Sequence, residues 1–285
     1  MPRSADLSES DIDPLAQPVC PSAGAVLHPY VEIGAAGGSA AIPLASECAL
    51  SLSYNGIAHA VMMVSPGDLD DFALGYSLSA GLITSASDVH DMDITGEDAQ
   101  RHAALQISHR AFHALKQHRR AIAGTSGCGL CGVELMSQAL PELEPMPRAG
   151  LPPAEHFEHL RERIGHFQAL AQVSGAMHAA LFVNAAGEIV QCREDIGRHN
   201  ALDKLIGALH HQRMDLCQGF AVVTSRCSLE LIQKAVRVGL STLVSLSAPT
   251  SLSVEWAGRY GLNLIHIPHH SAPRLYTPFP IRDNA

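Results

Sequence analysis

Residues 220–267 read FAVVTSRCSLELIQKAVRVGLSTLVSLSAPTSLSVEWAGRYGLNLIHI, and this stretch decides the fold class. Phe220 to Thr224 is a short apolar run of buried-strand type, and Leu229 to Val238 carries helical spacing and stops at Gly239. Thr242 to Leu246 is strand-like again, Leu252 to Tyr260 is helical up to Gly261, and Leu262 to Ile267 closes the stretch as a strand. Strands that alternate with helices of about ten residues predict a βαβαβ unit, a largely parallel sheet with helices on its faces.

Upstream, Ala179 to Val183 and Glu188 to Cys192 flank Asn184-Ala185-Ala186-Gly187 as a hairpin. Leu202, Leu205, Ile206 and Leu209 then mark a helix that Asn200 caps, with Asp203 at the third position. Phe157, Leu160, Ile164, Phe167 and Ala171 predict one amphipathic helix ending near Gly175, after a Pro-rich linker at 141–153. In the first half, Leu50, Leu52 and Tyr54 alternate toward Asn55-Gly56, and the apolar run Ile57 to Val64 follows, which predicts two strands joined by an Asn-Gly turn. Ser65-Pro66-Gly67-Asp68 has the chemistry of an N-cap, a first-turn proline and an acidic third position, so a helix should follow, stopping at Gly81. Residues 88–107 are weakly strand-like, and 109–120 are basic and His-rich, with a helical pattern. Residues 1–40 hold few large apolar residues, and the expectation there is a disordered leader. The expected organisation is therefore leader at 1–40, a smaller N-terminal α+β domain at 41–123, and a larger α/β domain at 124–285.

The chain has 285 residues, enough for one large domain or two smaller ones. Nineteen Lys plus Arg stand against 28 Asp plus Glu, for a net charge of −9, and the only lysines are Lys116, Lys204 and Lys234. That balance excludes a broad phosphate-tracking surface, so no nucleic-acid partner is expected and any anionic ligand must be held locally. No uncharged apolar run reaches the roughly 18 residues that span a bilayer, so no membrane partner is expected either. Seven scattered cysteines do not form a disulfide framework, and the N-terminus carries no apolar signal core, so the expected compartment is a reducing cytoplasm.

One cysteine pair carries information. Gly124-Thr125-Ser126-Gly127-Cys128-Gly129-Leu130-Cys131-Gly132 has too many glycines for a helix or strand interior and reads as a shaped loop whose backbone N–H groups can turn toward a thiolate or persulfide. Four chemistries compete for it: a zinc site completed by histidines, a thioredoxin-like redox pair, plain packing, and a nucleophilic sulfur carrier. Lowering a thiol pKa from about 8.5 to about 6.5 raises the thiolate at pH 7 from about 3% to about 75%. Nucleophilicity falls roughly six- to tenfold in compensation, so the stronger effect is to make a persulfide a stable anionic cargo.

The segment Gly127-Cys128-Gly129-Leu130-Cys131-Gly132 resembles the CGxCG signature of the FdhD family, sulfur carriers or sulfurtransferases required for formate dehydrogenase activity. Residues 54–63, Asp70-Asp71-Phe72-Ala73-Leu74-Gly75-Tyr76, residues 193–204, 225–239 and 247–251 resemble other family segments in the same order, so the resemblance covers about residues 45–280. It implies a cytidine-deaminase-like three-layer α/β/α fold for the second half. It also implies that Cys128 accepts sulfane sulfur from a cysteine desulfurase as a persulfide, and that the sulfur passes to the molybdenum cofactor, Mo-bis(molybdopterin guanine dinucleotide). That cofactor is bound as client or substrate, and no catalytic metal is expected. Cys131 matches the second motif cysteine, to which the resemblance gives no fixed role; by its spacing alone, a second thiol three residues away can help to release the cargo or resolve it as a disulfide. The expected partners are the cysteine desulfurase, formate dehydrogenase and a second copy of the chain in a homodimer. By position before Tyr276-Thr277, the resemblance assigns cofactor binding to Ile267, Pro268, His269, His270, Ser271 and Ala272. His269 and Ala272 stand where the family commonly has arginine, with Arg274 displaced by two positions, and neutral His is the poorer phosphate anchor. A non-catalytic cofactor-binding chaperone is the alternative function, and a zinc-dependent deaminase-like hydrolase is another.

Further residues have a functional and a plain reading. Glu194-Asp195-Ile196-Gly197-Arg198-His199-Asn200 forms either an anion site with an acid that reads guanine N–H groups, or an internal salt-bridged turn. Ser225-Arg226-Cys227-Ser228 joins a strand to a helix start and has room for an anion, with Cys227 packed. His178 stands where zinc deaminases have a ligand, but Ala179-Ala180 follow it, without the required His-x-Glu. His109 and His113 belong to a solvated helix face, and His210-His211 to the surface.

Overall fold

The computed structural model describes residues 24–33, 39–124 and 140–277. The loop that carries Cys128 and Cys131 lies outside the described residues. In chain order the strands and helices are β1 Ala25–Val31, β2 Ser39–Ala45, β3 Cys48–Tyr54, β4 Ile57–Val64, α1 Leu69–Ser79, β5 Val89–Glu97, β6 Gln100–Ile107 and α2 His109–Gly124. There follow α3 Leu160–Gly165, α4 Ala169–Ser174, β7 His178–Asn184, β8 Ile189–Asp195, α5 Arg198–His211, β9 Gly219–Arg226, α6 Leu229–Arg237, β10 Thr242–Ser247, α7 Ser251–Arg259, β11 Asn263–His266 and β12 Arg274–Thr277.

The chain is a mixed α/β protein built on a six-stranded sheet in the order β12-β11-β10-β9-β7-β8 and a four-stranded sheet in the order β4-β3-β6-β5. Within the six-stranded sheet only the β9–β10 and β10–β11 pairs, which helices connect, are parallel. The β7–β8 hairpin and the return strand β12 pair antiparallel, because a four-residue turn and a short return cannot make the crossover that a parallel pair needs. The sheet is therefore mixed rather than largely parallel. Alternation along its strands supplies both faces: Ala180, Phe182, Ala221, Val223, Leu243 and Leu264 pack under α5, α6 and α7. Ala179, Leu181, Val183, Phe220, Val222, Val244 and Ile265 face Leu160 and Ile164 of α3.

Turn chemistry agrees with the expectations. Asn55 and Gly56 both take positive φ (47° and 78°), as a type I′ hairpin turn requires. The sequence reading errs where distant side chains intervene. The chain leaves helical geometry between Gly165 and Ala169, because the Glu194 carboxylate accepts from the N–H groups of Leu170 (2.8 Å) and Ala171 (2.9 Å) and so starts a second helix there. Ser65 is not an N-cap; α1 begins after Asp68, whose φ is 54°, and Ser65 bonds instead to the second half. Asn200 sits inside the first turn of α5, whose N-cap is Gly197. Within the stretch read as leader, residues 25–31 form β1 and pair with β2 in a two-stranded ribbon. The ribbon is held at its base by Ser46 N–H to Gly24 O (2.8 Å) and by Gly24 against Leu170, so a scarcity of large apolar residues did not preclude structure there.

The two sheets are joined where α1 crosses α5. A Cβ on Gly75 would overlap the Asp203 carbonyl, and one on Gly207 would overlap the Asp71 carbonyl, so the backbones meet without side chains between them. Beside this crossing lies a buried ion pair, Lys204 Nζ to Asp195 Oδ2 at 2.7 Å, with both side chains 0% exposed. Asp195 also accepts from Ser65 N–H (2.9 Å), Gly197 N–H (2.8 Å) and Asn200 Nδ2 (2.9 Å), while Lys204 donates to Ser65 O (2.9 Å) and Glu194 O (3.4 Å). Asn200 Nδ2 reaches Met63 O as well (2.8 Å).

Two outcomes follow from this junction. Gly207→Ala should lower stability by about 2 kcal/mol or more through overpacking, whereas Gly165→Ala, where a Cβ meets nothing within 4 Å, should be neutral or slightly stabilising; equal urea midpoints for the two variants would contradict the close crossing. Lys204→Met strands the Asp195 charge and should cost about 3–5 kcal/mol; a loss below about 1 kcal/mol in urea unfolding would show that the pair is not buried as described.

Candidate functional site

Strands β8, β9, β10 and β11 point the same way, so Asp195, Arg226, Ser247 and His266 end on one edge of the sheet, with His178 at the start of β7 among them. In open α/β sheets, ligands bind in the crevice beyond the carboxyl ends of the strands. The segment Ile267–Ala272 leaves from this edge. Its first residue belongs to the core: Ile267 is buried, its N–H donates to Ser245 O (3.0 Å), and its carbonyl accepts from Arg161. Pro268 is half-buried, and His269, His270, Ser271 and Ala272 are exposed, with the two imidazole rings 5.9 Å apart.

The acids and bases of this edge divide sharply. Glu194 is occupied in capping α4, and Asp195 in the buried pair with Lys204, so neither is free to read a guanine edge. The acidic part of the 194–200 turn is structural. Among the described residues, Arg161, Arg198, Arg226 and Arg274 have no carboxylate within ion-pair distance. Arg161 donates through one guanidinium nitrogen to both Leu246 O and Ile267 O at the ends of β10 and β11. A protein of net charge −9 thus keeps a local cationic edge at its strand ends.

Beside that edge, α1, α5 and α6 enclose a cavity of about 480 Å³ lined by Tyr76, His199, Asp203, Glu230, Lys234 and Arg237, among others. His199 Nε2 lies 2.6 Å from the Glu230 carboxylate and 3.3 Å from Ser228 Oγ. Burial lowers the His199 pKa; the Glu230 charge opposes that shift, and Arg198 and Lys234 add to it. Lys234 is held by both Asp203 oxygens (2.9 Å each) and Ser79 (3.0 Å). Helix α2, which leads into the cysteine loop, is in contact through Ala114 and Leu115 with a second cavity of about 360 Å³ that shares Arg237 with the first.

The described cysteines are poor nucleophiles or lack a setting. Burial pushes the Cys192 and Cys227 thiols up to about 12 and raises Cys48, and Cys217 is exposed. Asp70, Asp71 and His211 are the one group among the described residues whose ligand atoms come close enough to hold a metal. Asp71 is already satisfied there, by Arg193 Nε (2.7 Å) and His211 Nδ1 (2.7 Å). His211 is therefore a hydrogen-bond partner of Asp71 at the helix crossing rather than plain surface, and His210 is half-buried with Nε2 unpaired. His109 and His113 are exposed on α2. Burial and Arg198 lower the His178 pKa, against the pull of Asp195. Two residues that the sequence reading passed over, Arg161 and His266, stand at the same strand ends; the first was hidden in an amphipathic pattern and the second in an apolar run.

Comparisons with known proteins agree with this architecture. The FdhD/NarQ family profile matches residues 45–281. The sulfur carrier protein FdhD of Burkholderia mallei is 44% identical over 229 residues, 77% of this chain and 82% of that protein. Those of Cupriavidus necator and Bordetella petrii are 42% and 38% identical over 221 and 234 residues, covering 78% and 82% of this chain and 77% and 84% of theirs. A crystal structure from Desulfotalea psychrophila, described as a formate dehydrogenase accessory protein, superposes with a TM-score of 0.67 at 20% identity, covering 88% of this chain and 96% of that one. With more than four-fifths of its residues matched in order and relatives this similar, the chain belongs to the FdhD/NarQ family.

Proposed function

We propose that the chain is a sulfurtransferase of molybdenum cofactor maturation that carries sulfane sulfur on Cys128 and serves formate dehydrogenase. The observation that carries this reading is the glycine-framed Cys128/Cys131 pair in a chain whose relatives are named sulfur carriers. Two further features support it. Burial disfavours the thiolates of Cys48, Cys192 and Cys227, so none of these three competes with Cys128 as a nucleophile. The cationic strand-end edge suits an anionic client such as Mo-bis(molybdopterin guanine dinucleotide), with His269, His270 and Ser271 exposed on the segment that leaves it. The chemistry needs no metal of the protein's own. No helix among the described residues is long and apolar enough to cross a membrane.

The steps balance without an outside oxidant. The Cys128 thiolate attacks the terminal sulfur of a desulfurase persulfide; the S–S bond to the desulfurase breaks, a new one forms on Cys128, and the desulfurase leaves as thiolate. In delivery, Cys131 attacks the Cys128 sulfur and expels the terminal sulfur as sulfide, so the sulfane sulfur is reduced by two electrons while the two cysteines become a disulfide. Attack by a nucleophilic acceptor on the terminal sulfur instead moves the sulfane sulfur to that acceptor, breaks the S–S bond and expels Cys128 as thiolate.

Incubation with a cysteine desulfurase and cysteine should add about 32 Da at Cys128, one sulfane sulfur, read by mass spectrometry of the intact chain and its peptides. Cys128→Ala should abolish the adduct, and a variant that keeps it would remove Cys128 from the mechanism. Stoichiometric zinc on the purified protein would favour a binding module over a carrier. Changing His269 and His270 to Ala together should weaken guanine-nucleotide binding several-fold; unchanged affinity in calorimetry would detach this segment from the site.

A further inference from the structure

Two buried polar atoms at the strand-end edge have no partner. His266, the last residue of β11, is only 8% exposed, yet its ring Nδ1 makes no hydrogen bond. Arg161 comes to the ends of β10 and β11 from α3, on the opposite face, and is fixed there by Leu246 O and Ile267 O; its Nε is likewise buried and unpaired. Buried donors of this kind are scarce in folded proteins, and they persist where another molecule completes them. A third donor stands nearby: Arg274 pairs with His266 across β11 and β12, and its guanidinium donates to Ser271 Oγ (3.2 Å).

Charge narrows the class of molecule. Neither Arg161 nor Arg274 has a carboxylate within ion-pair distance among the described residues, so neither guanidinium charge is neutralised by an acid there. Burial disfavours the His266 imidazolium, and the fields of Arg274 and Arg161 add to that; a neutral imidazole donates from Nδ1 in one of its two tautomers. A water molecule could complete the hydrogen bonds but not the charge. A phosphoryl group offers several acceptor oxygens on one centre and the negative charge that guanidinium pairs take best.

We propose that Arg161 and His266 form the floor of an anion site at the end of β11, taking oxygens of a phosphate or diphosphate group, with Arg274 at its rim. The proposal rests on the reading of residues 267–272 as a cofactor-binding segment, and it adds donors that lie outside that segment. It also gives a reason why His269 and Ala272 need not be arginines here: the cations are supplied from α3 and β12.

The probe is inorganic pyrophosphate, titrated into the full chain by calorimetry, with imidazole nitrogens followed by long-range ¹H–¹⁵N NMR. The site predicts saturable binding that shifts the His266 ring nitrogens, and a loss of affinity of about tenfold or more in His266→Phe, which keeps the ring shape and removes Nδ1. Arg161→Lys, which keeps the charge but not the fork, should also weaken binding. Absence of binding, or binding that leaves the His266 nitrogens unmoved, overturns the proposal even if His266→Phe fails to fold. If His266→Phe binds normally while the double alanine change at His269 and His270 weakens binding, the segment stands and this floor does not. The reverse pattern keeps the floor and discards the segment.

Discussion

The buried pair formed by Asp195 and Lys204 ties the two halves of the chain together beside the crossing of α1 and α5. It joins the end of β8 and the first turns of α5 to Ser65, the residue that follows β4 in the other sheet, through contacts of 2.7–2.9 Å in a fully buried setting. Two buried charges are tolerable there because nearly every lone pair and proton is used, whereas a lone member would be severely destabilising. The glycine crossing of α1 and α5 permits this, since the node closes only if the helix backbones meet. In this way the first half of the chain sets the position of α5, and α5 sets His199 at the mouth of the cavity beside the strand ends.

The same commitments decide the electrostatics of the edge. Acidic residues outnumber basic ones in the chain, but the acids at the strand ends are spent on internal bonds: Glu194 caps a helix, Asp195 neutralises Lys204, and Glu230 faces His199. What remains for a ligand is arginine, histidine and backbone. An acidic protein can hold an anionic client in this manner without attracting nucleic acid along its whole surface.

The βαβαβ unit was legible because its strands and helices are separated by glycines and carry distinct periods, and local chemistry alone placed Gly239 and Gly261 as stops, with φ of 74° and 79°. The misreadings share one physical cause. Ser65 looks like a cap by its neighbours, yet Asp195, 130 positions away, claims its N–H. Residues 157–171 look like one helix until Glu194 starts another at Leu170. Asn200 resembles a cap and instead ties Met63 to Asp195. Sequence patterns report contacts between near neighbours, and these elements are decided by partners from other strands. The Glu194-to-Asn200 turn could not be assigned from its residues for the same reason: its acids are held by internal bonds and His199 by Glu230, while Arg198 has no carboxylate within ion-pair distance among the described residues. Arg161 gave no signal at all, since its role depends on carbonyls at the ends of β10 and β11.

The central claim is that sulfur moves through Cys128 to the molybdenum cofactor. The most direct measurement loads the protein with radiolabelled sulfane sulfur, removes the donor, and adds the cofactor in a single turnover. The account predicts that label leaves Cys128 and appears in the cofactor at the same rate. Label that stays on the protein while the cofactor becomes active would contradict it.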